Sequence, residues 1–247
     1  TEHNTFNKRR KKKFLYLIEY CIYNSLKSII CVSEATRYEL LKYMPSLDLN
    51  KVTVIENGTE LIKYKTRNFS KKKLNIIVLG SLTYKKGIDL LLSCIPFAMD
   101  KINKVKIIGS GPEKKRLLNL INKFSLVSLV EFIDFTEDIE THIYEADLGV
   151  IPSRWEGFGL VAVEMRSSGL PILISDVPGL SDIFSNYNGV FTFKAESKNS
   201  LKESLNSLLN DLTNNKIDIK DLEPDLNIYS THNFLIRYEK FYKRSKF

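Results

Sequence analysis

Two glutamates, Glu156 and Glu164, bracket the run Glu156-Gly157-Phe158-Gly159-Leu160-Val161-Ala162-Val163-Glu164. A carboxylate accepts a pair of hydroxyls from a sugar ring or a ribose. Glycines on both sides of Phe158 let backbone approach a ligand closely. The run opens a helix predicted over 160–168. The amides of Phe158 to Val161 then stand at a helix start, where unpaired N–H groups and the helix dipole favour an anion. A helix-start acid followed by an ordinary helical glutamate is the bland account of the same residues. The clustering of the only tryptophan, Trp155, with two glycines and two glutamates at one strand end favours a site.

Three other strand ends carry unusual residues. Gly80-Ser81-Leu82-Thr83-Tyr84-Lys85-Lys86-Gly87 reads either as an anion cradle or as a solvated loop with surface lysines. It is not a P-loop, because the Gly-Lys-Ser/Thr ending is missing. Gly109-Ser110-Gly111-Pro112-Glu113 follows a strand, yet Lys114 stands where a dinucleotide fingerprint has its third glycine; a tight turn reads equally well. Ser175-Asp176-Val177-Pro178-Gly179 reads as a loop at a helix start and a pocket wall. No His/Cys/Asp cluster has metal-ligand spacing, so no metal and no cofactor is expected. His142 and His232 read as structural.

These loops need a frame. Apolar runs alternate with helical stretches: strands are predicted at 28–32, 51–55, 74–79, 105–108, 129–135, 148–151, 171–175 and 190–193. Helices are predicted after Ser33, a helix N-cap, and at 87–99, 112–124, 138–146, 160–168, 197–213 and 228–243. Strands separated by helices of this length imply right-handed crossovers and a parallel sheet. The fold class is α/β, with a doubly wound parallel sheet over 74–225. Residues 1–58 read as the tail of a second domain of the same kind, 59–73 as a linker, and 226–247 as a helix returning to the first part.

The chain has 247 residues and opens on Thr1, which reads as a fragment or a processed product. No apolar run approaches the ~20 residues needed to span a bilayer; residues 14–23 are too short and include Glu19. Three cysteines, Cys21, Cys31 and Cys94, fit a reducing cytosol. Of the net charge of +8, five units sit in residues 1–13, where Lys8, Arg9, Arg10, Lys11, Lys12 and Lys13 face Glu2 alone. Leu15, Ile18, Ile22 and Leu26 follow at helical spacing. Such a block reads either as a solvated face or as a dock on an anionic membrane surface. Nucleic acid is not expected as a partner, because the remainder is nearly neutral and has no basic stripe interleaved with aromatics.

The chain resembles the retaining, nucleotide-sugar-dependent glycosyltransferases of the GT-B fold known as glycosyltransferase family four. Glu156 to Glu164 matches the family's Glu-x7-Glu signature, and Gly80-x-Leu82-x3-Lys86-Gly87 its phosphate loop. Gly109-x-Gly111-Pro112, Ala146-Asp147, Pro152-Ser153, Gly169-Leu170-Pro171 and Val177-Pro178-Gly179 follow in the family's order, and Cys31-Val32-Ser33-Glu34 and Ile55-Glu56-Asn57-Gly58 are similar to segments near the end of its first domain. The resemblance implies transfer of a sugar, with retention, from a UDP- or GDP-sugar to a polysaccharide or lipid-linked acceptor. It implies catalytic roles for Glu156, Lys86 and His3. Lys86 would bind the diphosphate, with Gly80, Ser81, Lys85 and Gly109 around it. Glu164 would hold the ribose, with the base near Ile133 and Asp134. Glu156, Gly157, Phe158, Gly159 and Leu160 would face the sugar. Ser81 stands where the family has arginine, which removes a bidentate phosphate donor. The implied setting is cytoplasmic, peripheral on the inner membrane face. A truncated, inactive nucleotide-sugar-binding remnant is the alternative, since about a hundred residues of the family's first domain have no counterpart.

Overall fold

The computed structural model describes residues 1–6, 10, 13–67, 69, 71–214, 216–217 and 225–244. Six parallel strands form the main sheet: β3 (Leu74–Leu79), β4 (Ile102–Ile108), β5 (Val130–Ile133), β6 (Leu148–Ile151), β7 (Ile172–Ser175) and β8 (Val190–Phe193). Their spatial order is β5-β4-β3-β6-β7-β8. The chain therefore builds outward from β3 in one direction, then returns to start β6 on β3's other side. Ile76 and Ile77 of β3 lie in register with Leu148 and Gly149 of β6. In open α/β sheets the strand pair where the winding reverses opens a crevice at its carboxyl ends.

The central strands are nearly continuous apolar runs because both faces are covered. One face packs Leu74, Ile76 and Val78 against α3 (Ile88–Cys94), α4 (Lys114–Lys123) and α8 (Lys198–Thr213). The other packs Ile77 and Leu79 against α5 (Ile139–Glu145), α6 (Leu160–Ser167) and α7 (Ser181–Phe184).

The first lobe is smaller. β1 (Ile29–Cys31) pairs in parallel with β2 (Val52–Val54), and α1 (Lys13–Ser25) and α2 (Glu34–Tyr43) flank them. Ser33 caps α2, accepting the Thr36 amide at 3.1 Å. Glu2 adds to the free edge of β1: its amide donates to the Ile30 carbonyl (2.8 Å) and its carbonyl accepts the Val32 amide (3.1 Å). The last helix, α9 (Thr231–Arg244), follows a 3-10 turn at Asn227–Tyr229.

Several boundaries differ from expectation. The helix predicted over 87–99 is α3 followed by a 3-10 turn, Ile95–Phe97, because Pro96 has no N–H to continue the ladder. β5 stops at Ile133 rather than 135, because its partner β4 ends at Ile108. The strand predicted at 105–108 begins at Ile102, and the helix predicted from 112 begins at Lys114. The final helix starts at Thr231, since Ser230 is extended.

Residues 59–67 contain no helix or strand, yet they are tied down along their length. The Ile62 amide donates to Ser167 Oγ (3.0 Å) and the Lys65 amide to the Ser168 carbonyl (3.1 Å). The buried Arg67 guanidinium donates to the Ile143, Tyr144 and Ala146 carbonyls at 2.9–3.1 Å, closing the carboxyl end of α5. Within the basic block, Lys8, Arg9, Lys11 and Lys12 lie outside the described residues. Arg10 turns inward, paired with Glu2 at 3.1 Å and stacked on Tyr43.

Candidate functional site

The loops that leave β3 and β6 meet. Tyr84–Lys86 form one turn of 3-10 helix, closed by Gly87 in the left-handed region. The Arg154 amide donates to the Lys85 carbonyl (2.8 Å), which joins the two loops through backbone. Lys85 Nζ then lies 2.8 Å from Glu156 Oε1 and Lys86 Nζ 2.9 Å from Oε2. Ser153 Oγ donates to Oε2 at 3.2 Å, and Ser153 is itself held by Ser175 Oγ on its carbonyl. The Glu156 side chain is 9% exposed, against 24% and 18% for the two lysines. Burial pushes the Glu156 carboxyl up, but the Lys86 and Lys85 ammoniums outweigh it and hold the group below the usual carboxylate range. One carboxylate thus pairs with two ammoniums, which leaves a net charge of +1 at the mouth of the crevice.

The first lobe closes on the same loop. A Cβ at Gly157 would lie 1.9 Å from the His3 carbonyl oxygen, so only glycine admits this approach. Thr5 Oγ1 donates to the Glu156 carbonyl (2.8 Å) and Ser33 Oγ to the Gly157 carbonyl (2.7 Å). His3, exposed, is carried to the Glu156–Gly157 loop by the pairing of Glu2 with β1.

On the other side of the crevice lies a cleft of about 290 Å³, lined by Gly80, Ser81, Gly109, Phe135, Thr136 and Glu164. A Cβ at Gly109 would lie 2.1 Å from the Gly80 carbonyl oxygen, so the two loops touch through bare backbone. Glu164 is half-buried, and Thr59 Oγ1 donates to its Oε1 at 2.8 Å. Burial raises the Glu164 carboxyl above its ordinary 4.5, and the Thr59 bond pulls back part of that shift.

The structure therefore gathers Lys85, Lys86, Glu156, Gly157 and His3 in one place, and Gly80, Ser81, Gly109 and Glu164 beside it. Other expectations shift. The Gly159 amide donates to the Gly179 carbonyl (3.2 Å) and the Leu160 amide to the Phe158 carbonyl (3.0 Å). Among the described residues only the Phe158 and Val161 amides of that helix start are without a hydrogen-bond partner. The Phe158 ring points into the core against Tyr229 and Phe184. Ile133 packs partly into the core and its carbonyl takes the Gly109 amide, while Asp134 is paired with Lys114. The exposed Phe135 ring and Thr136 form the cleft wall instead.

Sequence reasoning gave no role to Thr59 or Thr5, read Ser33 as a helix N-cap and Ser153 as part of Pro152-Ser153, and foresaw none of their bonds to the two glutamates and the Gly157 loop, since a single hydroxyl carries no pattern. It also missed Arg154, whose guanidinium bonds Asp89 at 2.9 Å through both terminal nitrogens and lies over Tyr84. Among the described residues no group of three His, Cys, Asp or Glu converges as a metal site would, and no helix is long and apolar enough to cross a membrane.

The family model described as Glycosyl transferases group 1 matches residues 61–220. An uncharacterized glycosyltransferase of Methanocaldococcus jannaschii is 30% identical over 198 residues, covering 73% of this chain and 50% of that protein. The O-antigen biosynthesis glycosyltransferase WclY of Escherichia coli is 34% identical over 167 residues, covering 63% and 45%. The chain spans about half the length of the curated relatives it matches. The crystal structure of Anabaena Alr3699/HepE in complex with UDP superposes with a TM-score of 0.83 at 16% identity, covering 98% of this chain and 71% of that one. The architecture is the α/β arrangement of GT-B glycosyltransferases expected from the sequence.

Proposed function

This chain belongs to the glycosyl transferases group 1 family, and on that premise we propose that it moves a sugar, with retention, from a UDP- or GDP-sugar to a polysaccharide or lipid-linked acceptor. The observation that carries this reading is the Lys85–Glu156–Lys86 cluster where β3 and β6 lie side by side. As the glycosidic bond to the nucleotide breaks, negative charge grows on the terminal phosphate. Ammoniums already aimed at that point stabilise the transition state more than the ground state. Lys86 and Lys85 supply that charge, so the reaction as proposed needs no metal.

In this reading the diphosphate enters between the lysines and Glu156. The freed carboxylate then accepts hydroxyls of the donor sugar, with the Phe158 amide beside it. Glu164 takes the ribose in the neighbouring cleft, and Phe135 stacks on the base. His3, carried on the first lobe, meets the sugar from the acceptor side. Retention follows if the acceptor attacks on the face the diphosphate leaves, with a departing phosphate oxygen taking its proton. An O-antigen enzyme among the relatives and UDP in a structural neighbour support the donor and acceptor classes. The basic segment 8–13 supports work at the inner membrane face, where lipid-linked acceptors sit.

Calorimetric titration with UDP-, GDP- and ADP-sugars tests this. One of them binds the parent chain, and Lys86→Ala and Glu164→Ala each weaken it at least about tenfold. Parent-like affinity in both variants refutes the site. The anomeric configuration of the product, read by proton NMR, tests retention.

A further inference from the structure

We propose that Thr59 is a positioning residue for the ribose site: its hydroxyl holds the Glu164 carboxylate with one oxygen turned into the cleft, and so couples that site to the segment joining the two lobes. The proposal rests on the reading of Glu164 as the ribose acceptor.

Three observations carry it. Thr59 Oγ1 donates to Glu164 Oε1 at 2.8 Å, while among the described residues Oε2 has no hydrogen-bond partner, although Glu164 is half-buried and lines the cleft. A carboxylate with one oxygen fixed and the other free in a cleft is set to accept a hydroxyl pair without reordering. Thr59 is itself rigidly placed: its amide donates to the Tyr229 carbonyl (2.9 Å) and its carbonyl accepts the Thr231 amide (3.0 Å), at the entry to α9. Its neighbours on both sides are tied as well. Arg237 of α9 donates to the Glu56 carbonyl (3.0 Å), and the Ile62 amide donates to Ser167 Oγ, which donates in turn to the Glu164 carbonyl (2.9 Å). A movement of residues 56–62 relative to α6 therefore has to move or release the Glu164 carboxylate. The hydroxyl also opposes the upward push that burial exerts on this carboxyl, keeping it ionised for hydroxyl recognition.

The test uses the 247-residue chain, the nucleoside diphosphate that binds best, and its 2′-deoxy analogue, titrated from pH 5 to 8. Thr59→Val removes the donor at nearly constant volume, and Thr59→Ser keeps it. In Thr59→Val, binding of the ribonucleotide falls about tenfold and the preference over the deoxy analogue shrinks. The pH below which affinity declines moves upward, and Thr59→Ser restores all three. Should Thr59→Val fail to fold, Thr59→Ala is read in the same way. Parent-like preference and pH profile in the hydroxyl-free variant, while Glu164→Ala loses the preference, overturn the role of Thr59 alone. Parent-like binding by Glu164→Ala, or no binding by the parent, overturns the ribose reading beneath it.

Discussion

Replacing Glu156 by glutamine has opposite consequences for binding and for transfer. In the free chain both lysines are paired to this carboxylate, at 2.8 and 2.9 Å, in a setting where Glu156 is 9% exposed. A Coulomb attraction of about 6 kcal/mol per pair at an effective dielectric of 20 is largely offset by desolvation, leaving roughly 1–2 kcal/mol per pair in a partly exposed site. An incoming diphosphate has to displace the carboxylate from at least one lysine. With a neutral amide there is nothing to displace, so a nucleoside diphosphate without its sugar binds Glu156→Gln about tenfold more tightly, the equivalent of ~1.4 kcal/mol. The same change removes the charged acceptor for the donor sugar's hydroxyls, a loss of about 1.5–3 kcal/mol, and kcat/KM falls roughly ten- to a hundredfold. Calorimetry with the bare nucleoside diphosphate, run beside Lys86→Ala, gives the decisive comparison. If Glu156→Gln binds it no better than the parent, the carboxylate does not compete with phosphate for these lysines and the reasoning fails.

Two further outcomes follow from the geometry. Glu164 has a folded-state pKa raised above the ordinary 4.5, so its stabilising contribution is present below that value and is lost as pH rises through the folded one. Glu164→Gln therefore unfolds at a higher temperature than the parent near pH 7, and thermal melts at a series of pH values show the gain fading toward pH 4. Gly157→Ala places a Cβ 1.9 Å from the His3 carbonyl oxygen, which displaces residues 2–5 and costs about 2 kcal/mol in overpacking and lost hydrogen bonds; the Val32 amide, bonded to Glu2, then exchanges with deuterium faster.

Much of the frame was legible because it is local. LNIIVL over 74–79 can only be a doubly covered strand, and Ser33 before Glu34 announces a helix start that the Thr36 amide completes. The run from Glu156 to Glu164 carried its own signal in residue types and spacing. Boundaries were less legible, since they depend on where a partner ends. β5 stops with β4, and the fastenings of the 59–73 linker are single side chains such as Arg67 and isolated backbone bonds such as that of Lys65 to Ser168, neither of which leaves a local pattern.

The sequence by itself determined that strands and helices alternate, which loops are rich in glycine and charge, and that two glutamates open one helix. Only tertiary structure decided that the winding reverses between β3 and β6, bringing Lys85 and Lys86 onto Glu156. It also set Glu2 on the edge of β1, so that His3 reaches Gly157, and turned the Gly159 amide to Gly179. The reason is physical. Propensity and periodicity act over a few residues, whereas pairing a buried charge or a lone hydroxyl depends on which distant segments the packed core places within 3 Å of each other.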